Sequence, residues 1–129
     1  VVTIEKFSEF ASIAEENFKN NNFEKNITLK LGDASDVIQT LPNNFFDFIY
    51  VDGDKGKYPD LVAFAEKKLS DKGLILVDDI LFHGDVLNEN PQTDKGKGCR
   101  KVLENFKSNI KFYSYLMPVN NGIFLLRKK

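Results

Sequence analysis

Two short runs of apolar and β-branched residues end abruptly in carboxylates. Phe46-Asp47-Phe48-Ile49-Tyr50-Val51 runs into Asp52, and Leu74-Ile75-Leu76-Val77 runs into Asp78-Asp79. Apolar runs of this length, bounded by turn signals, read as buried parallel strands. Two parallel strands cannot be joined by a tight turn, so the chain between them must cross over, and a helical period sits there: Leu61, Val62, Phe64, Ala65 and Leu69 share one face of a helix predicted from about Tyr58 to Leu69. Asp71-Lys72-Gly73 then turns the chain into the second strand.

The same alternation runs along the whole chain. Val1 to Glu5 is a predicted strand, and Ser8 to about Lys19 a helix with Phe7, Phe10, Ala11, Ala14 and Phe18 at helical spacing, stopped by Asn20-Asn21-Asn22. Ile27 to Leu31 is the next strand, and Gly32-Asp33 opens a helix carrying Val37, Ile38 and Leu41. Phe82 to Lys97 is polar and aperiodic and reads as a loop over the site. A helix from Gly98 to Asn109 follows, and Ile110 to Met117 and Gly122 to Arg127 form a closing hairpin through Asn120-Asn121-Gly122. The fold class is therefore α/β, one domain over residues 1–129 with helices on both faces of a mostly parallel sheet. The phenylalanines of the first helix, with Phe45, Phe46 and Phe48, are expected in the core.

Composition narrows the functional classes. With 42% hydrophobic residues the chain can bury a core, and its 18 basic and 19 acidic side chains nearly cancel, so no global field recruits nucleic acid or an anionic membrane. The single cysteine, Cys99, excludes an internal disulfide and fits a reducing compartment, which makes the cytoplasm the expected location. Beside Arg100 at a helix start, its thiol is expected to be somewhat acidified. His83, the only histidine, falls in the loop and reads as a surface residue. No apolar stretch is long enough to span a bilayer.

In open α/β sheets, ligands sit outside the carboxyl ends of the strands. Asp52, Asp78 and Asp79 should share that rim with Lys55, three residues past the first of them. Carboxylates without accompanying His or Cys suit a hard divalent cation, and the lysine adds a titratable amine. An acidic cluster with a lysine also suits Mg²⁺-dependent phosphoryl-transfer or receiver-like domains, and a non-catalytic self-association module is a further alternative.

Several blocks, in order and spacing, resemble the cation-dependent class I O-methyltransferases of the catechol and caffeoyl-CoA type. They are Glu5 at a strand end, Gly32-Asp33-Ala34, Val51-Asp52-Gly53-Asp54-Lys55-Gly56-Lys57-Tyr58, Leu76-Val77-Asp78-Asp79-Ile80-Leu81-Phe82-His83-Gly84 and Leu116-Met117-Pro118-Val119-Asn120-Asn121-Gly122. The resemblance implies a Rossmann-like methyltransferase sheet. It implies S-adenosylmethionine as cofactor, with Glu5 on the ribose, Asp33 and Ala34 along the adenine, and Asp52 nearby. It further implies Asp52, Asp78 and Asp79 as ligands of a divalent cation (magnesium, calcium or manganese), Lys55 as general base, a small hydroxylated, catechol-like acceptor, and a homodimer. Asp79 stands where the family usually has Asn. The family's first strand and its Gly-rich loop would precede Val1, so the chain is expected to be a fragment that by itself binds the cofactor weakly.

Overall fold

β1 (Val2–Glu5) and β2 (Thr28–Leu31) pair in parallel, with Val2 opposite Thr28 and Glu5 opposite Leu31. Between them runs α1 (Ser8–Asn20), which carries Glu9 in its first turn and Lys19 in its last, each favourable to the helix dipole. Its end is set by asparagine: Asn22 takes φ +60°, a left-handed conformation that asparagine tolerates, and its amide reaches back to the Lys19 carbonyl. After β2, Asp33 caps α2 (Ala34–Val37) by accepting from the Ser35 amide at 3.0 Å, and a 3₁₀ turn follows at Ile38–Thr40. These elements make up a first unit, Val1–Leu41. The computed structural model describes all residues, 1–129.

The second unit, Pro42–Lys129, holds a four-stranded sheet in the order β3-β4-β6-β5. β3 (Phe46–Val51) and β4 (Leu69–Val77) are parallel, with Val51 opposite Val77, and α3 (Tyr58–Lys68) makes the crossover. β5 (Phe112–Met117) and β6 (Ile123–Lys128) form the expected antiparallel hairpin, β6 lying against β4 with Val77 opposite Phe124. The core is made by Leu69, Ile75, Val77 and Leu126 from the sheet, Tyr58, Val62 and Ala65 from α3, and Cys99 and Val102 from α4 (Asp94–Phe106). No helix is long and apolar enough to cross a membrane.

Three expectations are corrected. The phenylalanines do not form a common core: Phe7 and Phe10 are 54% and 60% exposed, Phe45 and Phe48 are also exposed, and Ala11 is the one buried residue of α1. β4 begins at Leu69, where a helix end and turn were expected, and the residues before Leu74 form a bulge, with Phe46 opposite Leu69 and Phe48 opposite Leu74. A Cβ on Gly73 would lie 2.5 Å from the Leu69 side chain, so the bulge closes tightly only because residue 73 has none. Finally, α4 starts at Asp94 and not at Gly98. Thr93 caps it by accepting from the Gly96 amide at 2.9 Å, and the glycines that weaken the helical signal are where neighbouring chain passes closest.

Candidate active site

The carboxyl ends of β3 and β4 bring four charged groups together. Asp52 follows β3, Asp78 and Asp79 follow β4, and Lys55 opens the 3₁₀ turn Lys55–Lys57. Lys55 Nζ lies 2.9 Å from Asp52 Oδ1 and 3.2 Å from Asp79 Oδ2, its side chain only 13% exposed against 47% and 36% for the two aspartates. Burial works to lower its pKa, but the hydrogen bonds to Asp52 and Asp79 prevail and hold the ammonium above the ordinary lysine range. The balance between those opposing effects could not be read from sequence; here the carboxylates win.

Asp78 is turned elsewhere. Its Oδ1 accepts from the Asp79 amide at 2.8 Å and its Oδ2 accepts a short hydrogen bond from the Tyr50 hydroxyl. That bond, followed by burial, pushes the Tyr50 hydroxyl up to about 12. As a result no three acidic side chains converge closely enough to hold a metal. The donor chemistry, three carboxylates at two adjacent strand ends, fits a hard cation; the side-chain arrangement instead spends two of them on an ammonium and one on a phenol.

Two tyrosines absent from the candidates named by sequence organise this rim. Tyr58 is fully buried, and its hydroxyl donates to the Asp78 carbonyl at 2.8 Å, with the Val51 carbonyl at 3.4 Å, tying together the ends of β3 and β4. Lys55 Nζ lies 5.6 Å from the centre of the Tyr58 ring. Tyr50 lies in β3 two residues before Asp52, close to the strand end that the acidic residues follow, which was the available signal. Asp79 has φ +52°, a region that Asp and Asn enter more readily than other side chains, and its carbonyl accepts from the Phe82 amide at 3.0 Å.

The segment from Phe82 to Thr93 is ordered by one side chain. Asp85 accepts from the Asn88 side chain and from the Gln92 amide on one oxygen, and from the Thr93 amide and hydroxyl on the other, at 2.6–3.0 Å. Arg100 adds hydrogen bonds to the Val86 and Asn88 carbonyls. This holds a chain whose residues Phe82, His83 and Gly84 are all left-handed, so the expected loop is a built one, with a 3₁₀ turn at Phe82–Leu87. The Thr93 hydroxyl, then the Gln92 amide, hold the Asp85 carboxyl well below the usual range. A depressed carboxyl contributes stability that is complete above its unfolded pKa, near 3.9, and is lost as pH falls towards the folded value. Hydrogen exchange at Gln92, Thr93 and Gly96 should therefore stay constant from neutral pH down to about 4 after correction for intrinsic rates. In Asp85→Ala it should rise roughly tenfold. Unchanged protection in the variant would show that Asp85 does not order the segment.

Cys99 is buried in α4, and burial pushes its thiol up to about 11, the reverse of the expected acidification. His83 is exposed, as expected. In the first unit, Glu5 and Asp33 stand at the carboxyl ends of β1 and β2. Glu5 Oε1 accepts from the Phe7 amide at 2.9 Å and its other oxygen carries no hydrogen bond, while Asp33 meets Lys6 at 3.3 Å and caps α2, whose first residue is Ala34. A strand-end carboxylate with a free acceptor oxygen is the chemistry that recognises a vicinal diol.

Comparison with known proteins gives these features a family. The O-methyltransferase family matches residues 1–129. "Probable caffeoyl-CoA O-methyltransferase 2" of Dictyostelium discoideum is 26% identical, over 99% of this chain and 58% of its own length. A catechol O-methyltransferase of Niastella koreensis is also 26% identical, over 78% of this chain and 47% of its own. Among solved structures, the SAH-bound methyltransferase PaMTH1 of Podospora anserina superposes with a TM-score of 0.88 at 25% identity, covering 99% of this chain and 60% of that one. The chain thus spans somewhat over half the length of the first of these relatives, and it shares its Rossmann-like α/β architecture with PaMTH1. Matched along its entire length, it belongs to the O-methyltransferase family.

Proposed function

We propose that the intact protein transfers a methyl group from S-adenosylmethionine to a hydroxyl of a small, catechol-like acceptor, with the help of a divalent cation, and that it works as a cytoplasmic homodimer. What supports the reading is the cluster of Lys55, Asp52 and Asp79, with Asp78 one residue away, at the carboxyl ends of β3 and β4 in a chain whose whole length matches an O-methyltransferase family. The named relatives include caffeoyl-CoA and catechol O-methyltransferases, and one solved neighbour holds SAH.

In this reading Glu5 accepts from the ribose hydroxyls, and Asp33 and Ala34 line the adenine. Asp52, Asp78 and Asp79 would hold the cation through oxygen, which requires Asp78 to leave the Tyr50 hydroxyl and Asp52 and Asp79 to release Lys55; magnesium, calcium and manganese are all compatible with such ligands. The cofactor supplies a methyl group already activated on sulfonium, and the cation supplies charge that fixes neighbouring hydroxyls and lowers their pKa. In this reading Lys55 is the group that would take the proton from the acceptor hydroxyl that receives the methyl group. As an ammonium it cannot do so; it becomes a base only when Asp52 and Asp79 no longer hold its proton.

Calorimetric titration of the intact protein with Mg²⁺ or Mn²⁺ should show one site. Asp52→Ala and Asp78→Ala should each weaken it by at least about tenfold, since even changes beyond the direct ligands of a metal commonly cost that much. Parent-like affinity in both variants would remove these residues from the cation site.

A further inference from the structure

The second unit carries another concentration of charge, at the opposite end of β4 from the acidic rim. An open groove of about 670 Å³ is bordered by Lys67, Lys111, Lys128 and Lys129, with Glu66 and Asp71 as its acidic members. The lysines come from three separate parts of the chain: the last turn of α3, the residue before β5, and the end of β6. Along β4, Asp71 and Asp78 are separated by roughly 20 Å of strand, so the groove shares no side chain with the proposed chemistry.

The lysines are poorly compensated. Lys128 donates to the Leu69 carbonyl at 2.9 Å and stands 3.8 Å from Asp71, whose side chain is 99% exposed. Lys67, Lys111 and Lys129 have no carboxylate within ion-pair distance; Lys67 and Lys129 lie over the rings of Phe64 and Tyr113. The Lys129 amide donates to the Lys111 carbonyl at 3.0 Å, which continues the β5–β6 ladder and makes the two lysines cross-strand neighbours. Like charges set opposite each other on a ladder repel. Glu66 is the one partly buried carboxylate of the groove; burial raises its pKa, and Lys111 and Lys128 act to lower it, so two acidic side chains stand against four lysines. An anion between the amines would relieve the repulsion. Amines on a ladder and a helix, held on both sides of a concavity, suit adjacent phosphoryl groups better than a single carboxylate, since each amine can meet its own oxygens.

We propose that this groove binds a soluble polyphosphate group of the kind carried by nucleoside di- and triphosphates, as a site distinct from the methyl-transfer rim. The test uses the full chain and inorganic pyrophosphate as probe, followed by calorimetry and by shifts of backbone amide resonances at low ionic strength. One saturating site is expected, with shifts at Lys67, Lys111 and Lys129, and with weaker binding of inorganic phosphate. Lys111→Ala/Lys129→Ala should weaken pyrophosphate roughly tenfold, and Lys67→Ala by a smaller factor, whereas Lys95→Ala/Lys101→Ala on α4 should leave it unchanged. Equal weakening by the α4 pair would mean unspecific charge attraction and would overturn the proposal. So would absence of saturation, or binding to phosphatidylserine vesicles that pyrophosphate does not compete away, which would indicate a lipid surface as the partner.

Discussion

Lys55→Ala should lower turnover of the intact protein by about 10²–10⁴-fold, the range that a positioned proton-transfer group supplies, while changing the affinity for S-adenosylmethionine by no more than about twofold. The asymmetry follows from position. Lys55 Nζ is held among Asp52, Asp79 and the face of Tyr58, on the rim where the acceptor hydroxyl is proposed to lie, whereas the proposed cofactor contacts are Glu5 and Asp33. The fold should survive, because Asp52 and Asp79 are exposed enough to be solvated once the ammonium is gone. The pH dependence has a definite sign. A lysine raised above its unfolded value contributes stability that is fully present below about pH 10.4 and is lost as pH rises through the folded value, so Lys55→Ala should flatten the alkaline limb of the stability profile and leave the neutral region alone. Parent-like turnover in the variant would remove Lys55 from the mechanism.

Gly98→Ala should be damaging for a different reason. In a solvated helix the change would be favourable by about 1 kcal/mol. Here a Cβ would stand 2.2 Å from the Lys55 carbonyl and 3.1 Å from the Gly56 backbone, and neither can swing aside as a side-chain tip would. Either α4 or the Lys55–Lys57 turn must move. A net loss of about 1–3 kcal/mol is expected, as for other insertions into tight packing. Displacing the turn by about 1 Å carries Lys55 with it, and a misplacement of that size can cost on the order of a hundredfold in rate. Thermal melts and kcat should fall together. A variant that is more stable than the parent would show that the approach of α4 to the turn is not tight.

Most of the architecture was legible because it is written in local periodicity. The strands ending at Asp52 and Asp78, the crossover helix between them and the Asn120-Asn121-Gly122 hairpin all occur where spacing and turn residues put them, with Asn120 and Gly122 both left-handed. The misreadings were also local. Gly96 and Gly98 lowered the helical signal at the start of α4, yet those glycines exist to let Asp85 and Lys55 approach, a demand set by residues far away in sequence. Gly73 looked like a turn and is a bulge, because β3 pairs on both sides of it.

The sequence alone placed three carboxylates and a lysine at the ends of two parallel strands, since strand period and turn chemistry act over a few residues and fix which end of a strand a residue occupies. Which partner each side chain takes was decided only in three dimensions. Whether Lys55 gains or loses proton affinity depends on distances to Asp52 and Asp79, and Asp78 is claimed by Tyr50, a residue of the neighbouring strand reached through the register of Val51 on Val77. The lysine groove belongs wholly to the tertiary structure. A nearly neutral chain with no basic run gives no hint of it, and it exists because the β5–β6 register and the end of α3 deliver residues 67, 111, 128 and 129 to one place. Electrostatics depends on separation in space, which distant segments acquire only when the sheet closes.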